Sequence, residues 1–249
     1  MSNEIKERTM SPKAYRRGYI VAILVGVEND NAVLWQIFTQ VAKHQQSIPL
    51  NGDRSDSKAV YNFHESIVNA LRPTLKEGVR SIIIASPAKT NYAQELQNHI
   101  KAHHSWLLQG ENRATFSTIT GSASTPPQVS ALTKTSLFKQ LIQETASEET
   151  ENLLEILEKR LNKADNLVFF SVEEAENLIL GKQAAGKPKP EYLLLTDNYL
   201  SSSRQKNRVH RLLQIAKNRS VKTRIINAES TAGTRLTQLG GLVCLAKID

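Results

Sequence analysis

The sequence predicts an α/β fold made of two successive units. Runs of apolar, often β-branched residues recur along the chain, and segments with apolar residues at helical spacing separate them. The same alternation begins again near residue 165. With 249 residues, 40% of them hydrophobic and 22% charged, the chain is long enough for two globular domains. We therefore expect a flexible lead-in at residues 1–17, a first domain at 18–165 and a second at 166–249.

The first unit is predicted from periodicity. Apolar runs predict strands at residues 19–27 and 32–38, a third around 46–50, and later strands at 79–85 and 114–120. Helical spacing predicts helices at 59–76, 91–102, 132–142 and 148–161, and Pro73 is expected to kink or shorten the first of them. Residues 51–58 and 121–127 are expected to be loops.

The second unit repeats the alternation in about 85 residues. We expect strands at 166–170, 192–196, 223–226 and 242–246, with helices between them, the first at 172–180. Ser230 and Thr231 can cap the last helix, and Gly240-Gly241 ends it before the final strand. This order predicts a small three-layer α/β/α sandwich.

The charge is concentrated in one segment. The chain carries a formal +8, and residues 182–224 alone hold eleven basic residues against Glu191 and Asp197, a local +9. One predicted helix has apolar residues on one side, so its charged residues must project outward. Such a surface suits contacts to RNA phosphates, although a solvated helix face is the simpler alternative. The candidate RNA-binding residues of this segment are Arg204, Lys206, Arg208, Arg211, Lys217 and Arg219.

Little in the sequence predicts catalysis, a metal or a cofactor. His99 and His103 have a spacing compatible with metal binding and His104 adjoins them, but the sequence alone offers no further ligands, and an exposed helix face is the favoured interpretation. Nucleophile, phosphate-loop and dinucleotide motifs are absent. The single Cys244 fits a reducing compartment. The longest apolar run, at 19–27, is far shorter than the roughly 20 residues of a membrane span. We expect a cytoplasmic non-enzyme.

Four motifs in order resemble the Pelota family, which is related to the class I translation release factors. They are Ile48-Pro49 followed by a loop and Tyr61-Asn62-Phe63-His64-Glu65, the strand ending Ala85-Ser86-Pro87, the strand Leu193-Leu194-Leu195-Thr196-Asp197, and the segment from Gly233 through Leu236 and Leu239 to Gly241. The resemblance covers residues 18–249. It implies a ribonuclease-H-like central domain and a C-terminal domain similar to kink-turn-binding ribosomal proteins.

The resemblance also implies a role and partners. These are rescue of stalled ribosomes and mRNA surveillance, with the ribosome, a translational GTPase that contacts mainly the C-terminal domain, and an ABC-type ATPase. Gly233, Arg235 and Gln238 are accordingly candidate partner-binding residues. Arg54 and Lys58 are candidate RNA contacts in the loop at 51–58.

The chain departs from the family pattern in several places. The loop at 51–58 is near neutral and lacks the Gly-Gly-Gln that release factors use for peptidyl-tRNA hydrolysis. Ala88-Lys89 replace the usual glycine and aromatic residue. Only 17 residues precede the central domain, so we expect no counterpart of Pelota's N-terminal domain.

Three functions stay open at this point. The first is a non-catalytic ribosome-associated factor of the Pelota type. The second is a short paralogue that sequesters the GTPase without binding ribosomes. The third is an RNA endonuclease on the ribonuclease-H-like scaffold, which the absence of a carboxylate in the first strand disfavours.

Overall fold

A computed structural model describes residues 18–111, 113–163, 166–181 and 186–248. The expected lead-in at 1–17 and the expected boundary at Asp165 lie outside these residues. In the first unit the strands are β1 (Ile20–Val27), β2 (Asn31–Phe38), β3 (Ala42–Pro49), β4 (Ser81–Ser86) and β5 (Thr115–Thr120). The helices are α1 (Ser57–Lys76), α2 (Tyr92–His103), α3 (Pro126–Lys134) and α4 (Ser136–Asn162), with a 3-10 turn at Ser105–Leu107.

The first sheet has the strand order β3-β2-β1-β4-β5. Strands β1, β2 and β3 are antiparallel neighbours, whereas β1, β4 and β5 run parallel. This is the ribonuclease-H-like arrangement that the resemblance to the Pelota family implies. Alternate residues of β1 point to opposite faces, so Ile23 packs toward α1 and α2 and Leu24 packs toward α3 and α4.

The second unit contains strands β6 (Val168–Phe169), β7 (Lys189–Thr196), β8 (Lys222–Ile226) and β9 (Leu242–Lys247). Its helices are α5 (Val172–Leu180), α6 (Asp197–Ser202), α7 (Lys206–Asn218) and α8 (Thr231–Gln238). The sheet order is β6-β9-β7-β8, with β7 parallel to β8 and antiparallel to β9. Helices α5 and α7 pack on one face, and α8 with the end of α4 packs on the other. The predicted α/β/α sandwich is confirmed.

The boundaries predicted for the two helices at 132–142 and 148–161 are wrong. The chain instead forms α3 and a continuous α4, separated by Thr135, whose side chain caps α4 by accepting from Phe138 N–H. The polar stretch between the two expected helices stays helical because Thr145 is buried against the sheet, where its carbonyl accepts from the Thr115 hydroxyl. Helix α1 likewise continues past Pro73 to Lys76.

Helix α4 packs on both sheets. Phe138 belongs to the core under the first sheet, whereas Leu153 and Leu157 belong to the core of the second. The first half of α4 is therefore part of one unit and its second half part of the other. Among the described residues no helix is both long enough and apolar enough to cross a bilayer.

The predicted start and end of α8 are both confirmed. Ser230 caps the helix by accepting from Gly233 N–H, and Gly240 and Gly241 follow it at φ +100° and +81°. These positive φ values are unfavourable for residues with a Cβ, so the glycine pair fixes the turn into β9. Strand β6 is shorter than the strand expected at 166–170.

Candidate functional site

The segment predicted as one basic helix forms two helices, because the extended backbone of Ser203 ends α6 before α7 begins. The outward projection of its charges is confirmed. Val209, Leu212 and Ala216 are buried against the second sheet, while the basic residues around them are exposed: Arg204, Lys206, Arg208 and Arg211. Arg208 donates two hydrogen bonds to Glu176, of 2.9 and 2.7 Å, and one to Gln205. The hydrogen bonds to Glu176 raise the pKa of Arg208, so the guanidinium stays charged. The negative charge of Glu176 offsets part of this positive charge at the surface.

Several other basic residues of the segment make internal contacts. Lys217 forms a 3.0 Å ion pair with Glu77 of the first unit, and Arg219 donates to the carbonyls of Ile179 and Gly181 at the end of α5. Lys222 pairs with Glu191 at 3.1 Å, and Lys182 lies outside the described residues. The local +9 is therefore smaller at the surface than in the sequence.

Arg224 carries charge from this segment into the contact between the two units. Its guanidinium is buried, forms a 2.7 Å ion pair with Glu149 of α4, and donates to the carbonyls of Ile20 and Val21 at 2.9 and 3.4 Å. The same carboxylate accepts from Ser81 Oγ and from Arg80 N–H. A charged residue buried in this way positions the two sheets and is not available to a polyanion.

A cleft of about 1260 Å³ lies between the first sheet and helices α6 and α7. Tyr19 and Phe38 line its wall on the first unit, and Lys206 and Lys217 line its wall on the second. Arg208 and Arg211 lie outside this lining. The exposed charges of α7 thus face two directions, toward the cleft and away from it.

Arg54 is tied into the first unit. Its guanidinium donates to the carbonyls of Asn29 and Glu28 at 3.0 and 2.7 Å and to Glu95 at 2.9 Å, and it stacks 3.6 Å from the ring of Tyr92. Only 14% of its side chain is exposed. These contacts of Arg54 hold the end of the β1–β2 hairpin against α2. Lys58, in the first turn of α1, is exposed.

The three candidate partner-binding residues of α8 differ in accessibility. Gly233 is buried, and a Cβ at this position would lie 1.9 Å from the Asn227 carbonyl oxygen, so packing alone requires glycine. Arg235 forms a 2.7 Å ion pair with Glu158 of α4, and Gln238 is exposed. Of the three, Arg235 and Gln238 remain accessible to a partner.

The histidines form a cluster that spacing alone did not predict. His99 and His104 are buried, which corrects the expectation of an exposed helix face, while His103 is exposed. Glu65 of α1 completes the group, because its Oε1 lies 3.1 Å from His99 Nε2 and 2.7 Å from His104 Nε2. Sequence reasoning missed it because Glu65 is 34 residues from His99 and on another helix.

Comparisons with known proteins place the fold. No family model matches the chain, and no curated protein matches it. Among solved structures, it is similar to S. cerevisiae Dom34, a translation termination-like factor, with 22% identity and a TM-score of 0.50 over 94% of this chain and 64% of that one. It is also similar to an archaeal Pelota in a ribosome-bound model, with 16% identity and a TM-score of 0.54 over 95% of this chain and 64% of that one.

The class that these matches define is the α/β fold of the translation termination-like factors. Within it, the chain shares the fold of Pelota and Dom34 over both of its units, so the predicted likeness to the Pelota family is confirmed for the fold. The chain spans just under two thirds of the length of the structures it matches.

Proposed function

We propose that this chain acts as a ribosome-associated factor of the Pelota type, in the rescue of stalled ribosomes, and that it does not hydrolyse peptidyl-tRNA. The observation that carries the proposal is the shared fold across 94–95% of the chain. The structures concerned are described as a factor of RNA quality control pathways that interacts with Hbs1, and as a Pelota bound to the ribosome with ABCE1. We extend the ribosome, a translational GTPase and an ABC-type ATPase to this chain as partners, in the cytoplasm.

The proposed RNA contacts are the exposed basic residues near the start of α7. Arg204 is exposed in the turn before α7, and Lys206 and Arg211 are exposed on α7 itself, which is packed through Val209 and Leu212. Phosphate contacts of this kind supply affinity and position without reading sequence. Lys58 adds a second exposed position in the first unit. Arg208 and Lys217 can contribute only by leaving Glu176 and Glu77.

The absence of peptide release rests on the loop between β3 and α1. This loop contains Gly52 alone, beside the short turn in which Asp53 accepts from Ser55, and it has no glycine pair next to a glutamine. The Gly240-Gly241 pair lies in the other unit, in the turn between α8 and β9, where it serves the backbone. This difference supports the proposal that the chain does not hydrolyse peptidyl-tRNA.

The proposed GTPase contact is on α8. Arg235 and Gln238 are its accessible candidates, while Gly233 supports the helix from below by allowing close approach to Asn227. A pull-down with the GTPase should lose recovery in an Arg235→Glu, Gln238→Glu variant and keep it in the wild type. Recovery of GTPase without ribosomal proteins would support the sequestering paralogue instead.

The test of RNA contact is a ribosome-pelleting assay at several salt concentrations. The variant Arg204→Glu, Lys206→Glu, Arg211→Glu should pellet less, and the slope of log affinity against log salt should fall by about one for each phosphate that the variant no longer binds. The matched control Lys101→Glu, Lys134→Glu, Lys139→Glu changes the net charge equally at exposed positions of the first unit. Equal reductions in the two variants, or no reduction in either, would refute this RNA surface.

A further inference from the structure

The cluster of Glu65, His99 and His104 lies where α1 meets the end of α2. Glu65 is on α1, His99 is in the last turns of α2, and His104 is the residue that ends α2. Their ligand atoms, one carboxylate oxygen and two imidazole nitrogens, lie within 4.8 Å of one another. Two helices therefore bring three potential metal ligands to one point.

The donor set and its burial suit a divalent transition metal. Two histidines and one glutamate are a known zinc ligand set, with bonds of about 2.0–2.2 Å. In tetrahedral geometry such bonds separate neighbouring ligand atoms by about 3.4 Å. The observed separations of 3.1 Å for Glu65 to His99 and 2.7 Å for Glu65 to His104 would have to widen by about 0.3 and 0.7 Å to reach this value. The side chains of His99 and His104 are 6% and 8% exposed, against 29% for Glu65.

A further buried histidine, His64, lies beside the cluster. His64 is 3% exposed, its ring lies 5.1 Å from that of His99, and its Nε2 has no hydrogen-bond partner among the described residues. Most buried polar groups in folded proteins have a hydrogen-bond partner, so the unpartnered His64 marks this region as unusual.

We propose that Glu65 Oε1, His99 Nε2 and His104 Nε2 bind one Zn²⁺ ion, with water as the fourth ligand on the side where Glu65 is exposed. The ion links α1 to the end of α2 and stabilises the first unit. The site departs from the sequence-based expectation of no metal. It also differs from the spacing-based pair, because His103 is not a ligand.

Equilibrium dialysis of the metal-stripped chain against Zn²⁺ tests the ligand set. We expect one equivalent of zinc per chain, and a rise in Tm with zinc concentration because the ion binds the folded state. Loss of an outer-shell partner weakens metal affinity about 10–100-fold, so Glu65→Gln and His104→Gln, which alter ligands, should weaken it by more than about 100-fold. His103→Gln is the matched control on the same helix and should keep full affinity. Less than one tenth of an equivalent in the wild type, or equal affinity in His104→Gln, would overturn the proposal.

A measurement on the unaltered chain covers the case in which a variant fails to fold. Co²⁺ is a paramagnetic substitute for Zn²⁺, and NMR should place its strongest shifts on the ring protons of His99 and His104. The rings of His44 and His210, in other parts of the fold, serve as internal controls. Shifts centred on either control ring, or none that zinc reverses, would contradict the proposed site.

Discussion

The buried ion pair between Arg224 and Glu149 gives a sharp prediction about how the two units are held together. Arg224 is on β8 of the second unit, and its Nη2 lies 2.7 Å from Glu149 Oε2 on α4. The two side chains are 5% and 1% exposed. The perturbation is Arg224→Leu, which removes the ion pair together with the hydrogen bonds to the Ile20 and Val21 carbonyls.

The magnitude follows from burial. Breaking a buried ion pair on one side lowers the free energy of unfolding by about 3–5 kcal/mol, because the other charge stays uncompensated. At about 2–4 °C per kcal/mol for a chain of this size, Tm should fall by roughly 6–20 °C. Glu149→Leu should be worse, since it also removes the hydrogen bonds that Arg80 N–H and the Ser81 hydroxyl donate to this carboxylate. The double variant should be destabilised by less than the sum of the two single variants.

The assay is thermal and urea denaturation of the four proteins. Arg235→Leu is the matched control, because Arg235 also joins the second unit to α4, through the exposed pair with Glu158. Exposed pairs contribute little, so this control should unfold close to the wild type. If Arg224→Leu shifts Tm no more than Arg235→Leu, or if the two single effects add fully, the ion pair does not hold the units as described.

Three further predictions concern single positions. Gly233→Ala should lower the free energy of unfolding by about 1–3 kcal/mol in urea titrations, because its Cβ would meet the Asn227 carbonyl at 1.9 Å, and an unchanged midpoint would refute this. Arg54→Ala should lower Tm without changing RNA pelleting, whereas Lys58→Ala should do the reverse; the opposite pattern would show that Arg54 binds RNA directly. Burial raises the pKa of Cys244 to about 12, so alkylation of this thiol should require unfolding. The contribution of the buried neutral thiol to the free energy of unfolding should be fully present below about pH 9 and should be lost as pH rises toward 12. Rapid alkylation of the folded chain near pH 8 would contradict it.

Most of the fold could be predicted from the sequence, because local patterns determine it. The strands β1, β2 and β4 are runs of apolar residues that the fold buries, and Ser230 and the glycine pair mark the start and the end of α8. The continuity of α4 could not be predicted, since it depends on strands that bury Thr145 from a distance of about 30 residues. Helix propensity depends on residues that are close in sequence, whereas the continuity of a helix such as α4 depends on its tertiary packing.

The candidate site could be predicted only in part. The outward face of α7 follows from its apolar stripe, whereas Arg54, Arg219 and Arg224 look equally free in the sequence and are bound internally in the fold. Their acceptors are mostly backbone carbonyls, which every residue carries and which no motif marks. For the same reason of distance, the sequence presents His99 and His104 without the Glu65 that lies between them.

Sucrose-gradient sedimentation with stalled ribosomes, with and without the translational GTPase, tests the central claim most directly. The chain should migrate in the ribosome fractions, and the variant Arg204→Glu, Lys206→Glu, Arg211→Glu should move to the top of the gradient. A wild-type chain that stays at the top under both conditions would contradict ribosome association.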